Sequence, residues 1–120
     1  IQLGRTWWQM EVENQFLLAF ERNWRHLMQQ ARVEQVAVKV NWDAQLRRFS
    51  FIRYSPAKTA TIRLPVPDSL IVAPIKPTAN ILWHPAQQFT AIRTYQFKRS
   101  SGHVVTFTSQ LGWGELIRQG

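Results

Sequence analysis

The side chains able to do acid–base, nucleophilic or metal chemistry are few and scattered along these 120 residues. The acids are Glu11, Glu13, Glu21, Glu34, Asp43, Asp68 and Glu115, and the histidines are His26, His84 and His103. A hydrolase of the Ser-His-Asp or Cys-His kind needs nucleophile, base and orienting acid to converge, and no recognisable motif frames any of these groups. Four of the seven acids fall in the N-terminal segment, where solvated charge or intrahelical ion pairing is their ordinary use. The histidines lie far apart and lack a second ligand at helical or hairpin spacing, so no metal is expected. Their ordinary places are an exposed helix position for His26, a loop before Pro85 for His84, and the end of a hairpin turn for His103. There is no cysteine, which excludes disulfides and thiolate metal sites. No GxGxxG pattern or P-loop occurs, so neither a nucleotide cofactor nor any other cofactor is expected, and no small-molecule substrate either.

What the chain has in excess is positive charge. Fifteen Lys plus Arg against seven Asp plus Glu give a formal net charge of +8, a field that attracts polyanions such as nucleic acid, anionic lipid or wall polymers. Arginine supplies eleven of the fifteen, and its planar fork suits phosphate better than an ammonium does. Nucleic-acid surfaces interleave such cations with aromatics, and two clusters meet that pattern. Arg47, Arg48 and Arg53 flank Phe49 and Phe51, and Lys98 and Arg99 sit beside a turn with Arg93 upstream. Strand parity puts Arg47, Phe49, Phe51 and Arg53 on one face, which would leave the arginines at a sheet rim. The six cations are candidates for phosphate contact, set against the ordinary reading of solvated edge charge that discourages edge-to-edge pairing.

The elements that would position these groups are legible from periodicity. From Arg5 to Arg32 there is no proline or glycine and helix formers predominate, which predicts one long helix. Leu17, Phe20, Trp24, Leu27 and Ala31 recur at spacings of three and four, with Phe16 and Met28 widening the stripe. Glu21 and Arg25 can pair on its flank. After Glu34 the period becomes two, with Val36, Val38 and Val40 facing one way, then a turn at Trp42–Gln45 and a return strand from Leu46 to Tyr54. Ser55 to Pro85 carries all six prolines, limiting ladders to short strands such as Thr59–Leu64 and Asn80–Trp83. Phe89–Arg99 and His103–Leu111 read as a hairpin turning at Ser100-Ser101-Gly102, with Tyr95, Phe97, Val105 and Phe107 inward. The fold class is therefore α+β: a helical segment, residues 1–34, packed on an antiparallel β domain, residues 35–120.

A helix of this length, about 40 Å at ~1.5 Å per residue, exceeds the span of the β domain, so its first turns should project. Trp7, Trp8, Met10 and Val12 lie there, where a small domain has little to bury them against, and are expected to pack on partners. No run of eighteen or more apolar residues is present, so nothing in the chain reads as a membrane span.

The segment Glu13-Asn14-Gln15-Phe16-Leu17, continuing through Phe20-Glu21 to Gln29-Gln30-Ala31, resembles the second half of the helix in competence pseudopilins of the ComGD type. Val105-Thr106-Phe107 followed by Gln110-Leu111-Gly112-Trp113-Gly114 looks like the closing strand and Gly-Trp-Gly ending of that group, itself related to FimT and type II secretion H-type minor pseudopilins. The proline-bearing middle matches no motif of these families. The resemblance implies a pilin-like fold and a subunit anchored in the membrane by an upstream apolar helix, cut by a prepilin peptidase. It implies assembly with other pseudopilins of the same filament into a cell-surface pilus for DNA uptake in a Gram-positive bacterium. The cleavage motif and apolar half-helix of the family are not in this chain, which would then be a soluble fragment. The competing expectation is a free basic β domain that binds nucleic acid without any filament.

Overall fold

The computed structural model describes residues 2–75, 81–85, 93–109 and 115–120. The one helix among the described residues, α1 (Gln2–Glu34), starts earlier and ends later than proline and glycine placement alone predicts. It ends in a local device. Gln35 adopts a left-handed φ of 54°, and the Val36 N–H reaches back to the Ala31 carbonyl at 3.2 Å, a Schellman closure with Gln in the position that usually holds Gly.

The strands among the described residues are β1 (Ala37–Asp43), β2 (Arg48–Tyr54), β3 (Ala60–Pro65), β4 (Ile71–Val72), β5 (Ile81–Trp83), β6 (Thr94–Lys98), β7 (Val104–Ser109) and β8 (Leu116–Gln119). They form two four-stranded antiparallel sheets, β3-β2-β1-β5 and β4-β6-β7-β8. This is the α+β arrangement read from the sequence, and it is consistent with a pilin-like fold. Two strands go beyond the sequence expectation: β4 and β8, the two edges of the second sheet. Both are short and polar or proline-flanked, so neither carries a period-two signal. Of the expected segments, Asn80, residues 89–92, and the whole Gln110-Leu111-Gly112-Trp113-Gly114 ending, and with it the end of the expected strand His103–Leu111, lie outside the described residues.

The helix lies against both sheets at once. Phe16, Leu17, Phe20, Trp24, Leu27, Met28 and Ala31 are all buried, as are Val38, Val40, Phe49 and Phe51 of the first sheet and Tyr95, Phe97, Val105 and Phe107 of the second. The Phe20 ring sits at the centre, 5.0 Å from Phe49 on one side and 5.2 Å from Phe107 and 5.4 Å from Phe97 on the other, largely edge-to-face. Val66 and Leu70, from the crossover between β3 and β4, and Trp83 complete this core.

The first hairpin closes later than expected. Asp43 Oδ1 accepts the amides of Gln45 and Leu46 at 3.0 and 3.1 Å, so the turn occupies residues 44–47 and the strands meet at Asp43↔Arg48. Arg47 is consequently a turn residue with φ 49°, not a strand residue sharing a face with Phe49. The second hairpin turns where the sequence places it: Gly102, φ 91°, supplies the left-handed residue of a three-residue loop closed by Arg99 N–H to the His103 carbonyl at 2.8 Å.

Candidate assembly and polyanion surfaces

The long axis of the molecule is 53 Å against 27 and 24 Å across. That length matches the roughly 50 Å of a 33-residue helix, so α1 sets it and overhangs the sheets. In the overhang, Trp7 and Trp8 are each 64% exposed and Met10 41%. Val12 differs from the other three residues expected to pack on partners: it is half-buried, because the β domain begins at that turn of the helix. At 100° per residue, Trp7 and Trp8 share the solvent side of α1 with Leu18 and Arg22, opposite the Phe20 stripe.

Where the helix leaves the domain, Glu13 is completely buried. The Ser69 hydroxyl donates to Glu13 Oε2 at 2.6 Å, the Ser100 amide to the same oxygen at 3.2 Å, and Arg99 Nε to Oε1 at 3.4 Å. Arg99 also reaches the Met10 carbonyl through Nη2 at 3.0 Å. Burial alone would raise the carboxyl's pKa, but the hydrogen bonds from Ser69, Ser100 and Arg99 together outweigh it and hold the group below its ordinary range. Glu13 is thus neither a solvated charge nor an intrahelical partner, the two uses expected of it from the sequence. It ties α1 to the crossover before β4 and to the β6–β7 turn. Its helical phase, three and four residues ahead of Phe16 and Leu17, is the signal that could have found it. A carboxylate held low and supplied with donors is a poor general base for the neighbouring Ser69 hydroxyl.

The six candidate phosphate-contacting cations separate into different environments. Arg47 points inward: its guanidinium donates to the Pro67 and Leu70 carbonyls at 3.1 and 2.6 Å, pinning the crossover, and its Nε is buried without a partner. Arg53 pairs with Glu34 at 2.8 Å, fastening β2 to the end of the helix. Arg99 is committed to Glu13 and Met10. The Arg93 backbone N–H donates to the Ser109 hydroxyl oxygen at 3.0 Å, closing the mouth of the β6–β7 pair. Lys98 is exposed, and Arg48 lies half-buried on the outer side of β2. The shared strand face expected for Arg47 therefore fails, because the turn geometry rotates it off the strand, whereas Arg53 stays near the end of β2 with its charge paired to Glu34.

Two cations outside those clusters join Arg48. Val38, Val40, Phe49 and Phe51 face the core, so their alternates Lys39, Arg48 and, across the β2–β3 register, Arg63 share the outer face of the first sheet. None of the three makes an ion pair among the described residues. The exposed surface pair Glu21–Arg25 forms at 3.1 Å as its spacing predicts. Among the described residues there is no grouping of three His, Asp or Glu side chains that could hold a metal, and no helix long and apolar enough to cross a membrane.

Together these features define an α+β module whose helix is clamped between two antiparallel sheets and runs beyond them. The chain matches no known family model, no curated protein and no solved structure.

Proposed function

We propose that this chain is the β-domain-bearing part of a minor pseudopilin, a subunit of a competence filament used for DNA uptake in a Gram-positive bacterium. The observation that carries the reading is the overhanging helix with Trp7 and Trp8 uncovered at its end. A pilin-type subunit acts by assembly: the overhang packs among the helices of neighbouring subunits, and the β domain faces outward. The Glu13 clamp at the exit point supports this, since a projecting helix transmits force to its domain only if the joint is rigid. The resemblance of residues 13–31 to the pilin helix is the second support. No chemical step is required of the subunit.

This reading demands an upstream apolar stretch of about twenty residues, enough to span a bilayer as a helix. N-terminal sequencing with intact mass on the native protein from its source cells tests it. A native chain that continues upstream into such a stretch, with a processed and methylated start, is the expected result. A native chain beginning near Ile1 overturns the filament reading and favours a free nucleic-acid-binding module, a reading that Lys39, Arg48 and Arg63, without ion pairs among the described residues, also support.

A further inference from the structure

The outer face of the first sheet combines two features. One is the set of free cations. Arg63 stands opposite Ser50 on β2, two residue pairs along from Arg48, and Lys39 stands opposite Ile52 on the far side of the same strand. Neighbouring strands lie about 4.8 Å apart with about 3.4 Å per residue along each, which places Arg48 and Arg63 roughly 8 Å apart and Lys39 roughly 12 Å from Arg63. Among the described residues the one acid on this face, Asp43, sits opposite Arg48 but engages Oδ1 with the Gln45 and Leu46 amides of its own turn.

The second feature lies at the end of the same face. Tyr54 alternates outward with Ile52, Ser50 and Arg48 and pairs with Ala37. There it walls an open hollow of about 400 Å³ together with Val36, Ala37, Pro56 and Pro85, with Gln35, Ser55 and His84 supplying polar atoms. A hollow of that size, walled by the Tyr54 ring and the His84 imidazole, accepts a flat ring, and Lys39, roughly 8 Å from Tyr54, begins a row of cations that Arg63 and Arg48 continue at roughly 14 and 20 Å, able to accept the charges strung between successive rings. A bare polyphosphate or wall polymer would leave the hollow unused, and the bases of a closed duplex could not enter it.

We propose that this face binds single-stranded nucleic acid, its phosphates on Lys39, Arg48 and Arg63 and one base stacked on Tyr54 in the hollow. The proposal deepens the DNA-handling part of the reading above and stands whether or not the chain assembles into a filament. The test is fluorescence anisotropy with a labelled oligothymidylate of about 12 nucleotides, within the site sizes usual for such surfaces. The triple variant K39E/R48E/R63E should lose binding about 100-fold, and its log–log salt dependence should flatten by about 2, at roughly 0.7 for each phosphate no longer neutralised. Y54A should lose about 5- to 100-fold, the cost of one stacked base. A charge-matched triple, R22E/K58E/K98E, should retain tighter binding than the first triple, with circular dichroism verifying that all three variants fold. Equal loss in both triples, equal binding of a duplex or of polyphosphate, or no binding by the unaltered chain would each overturn the proposal. None of these outcomes bears on where the native chain begins.

Discussion

The two halves of α1 are one continuous helix, yet they do opposite things with apolar residues. From Glu13 onward the stripe of Phe16, Leu17, Phe20, Trp24 and Leu27 is buried between two sheets. Before it, Trp7 and Trp8 stand in solvent, on the other side of the helix. Intrinsic propensity favours the embedded half, since Gly4, Thr6, Trp7, Trp8 and Val12 are the poorer helix formers, but it does not set which apolar residues are covered. What distinguishes them is the cover: the embedded stripe packs on its own β domain, whereas the Trp7 and Trp8 side chains are largely exposed. An isolated helical overhang of this length is marginal in water, so its order depends on propagation from the clamped segment behind it.

The contrast breaks most severely at Phe20. Phe20→Ala should cost about 3–5 kcal/mol, because the ring touches both sheets and the cavity cannot collapse from either side. Urea unfolding measures it; a loss near 1 kcal/mol, far under the range for a buried Phe, would mean that the sheets hold together without the helix. Glu13→Gln comes next, with a loss of about 2–3 kcal/mol as Arg99 and the Ser69 and Ser100 donors lose a charged acceptor. The pH dependence gives it a signature. Because the folded carboxyl lies below its ordinary range, its contribution is complete above the unfolded value of about 4.3 and is lost as pH falls through the lower folded value. The acid limb of the stability curve should therefore be shallower in Glu13→Gln than in the unaltered chain, and identical limbs would remove Glu13 from the clamp.

Much of the embedded half was legible because burial repeats with the period of the element. The seven-residue helical stripe, Val38 and Val40, Phe49 and Phe51, and Tyr95, Phe97, Val105 and Phe107 all face where their spacing puts them. The Ser100-Ser101-Gly102 turn was legible for a related reason, a glycine where φ must be positive. The polar joints were not. Glu13 has the phase of a core residue but the chemistry of a surface one, and only the arrival of Ser69 and Arg99 from distant sequence decides between them. Arg47 adopts a left-handed conformation that glycine would have announced and arginine does not. Among the candidate phosphate contacts, composition identified basic character, but which arginines are free depends on internal acceptors: the Pro67 and Leu70 carbonyls, Glu34 and Glu13. Parity along β1 and β3 would have nominated Lys39 and Arg63 had clustering in sequence not been used as the filter.

The smallest expected effect sharpens the comparison most. Replacing Trp7 and Trp8 together by serine should leave the unfolding free energy of the separate chain within about 0.5 kcal/mol, the range for surface positions that touch nothing. Two tryptophans are among the largest apolar side chains available, and full burial of either in a core would make its loss cost several kcal/mol. Near-zero change is therefore informative: it means the chain's own fold makes no use of them. The same double variant should lose incorporation into a filament when expressed with its upstream segment, because the area they would cover belongs to a neighbour. A loss of about 2 kcal/mol or more in the separate chain, against the surface range above, would show the overhang folding back onto the domain in solution. The two halves of the helix would then differ in position only, and the overhang would no longer argue for assembly.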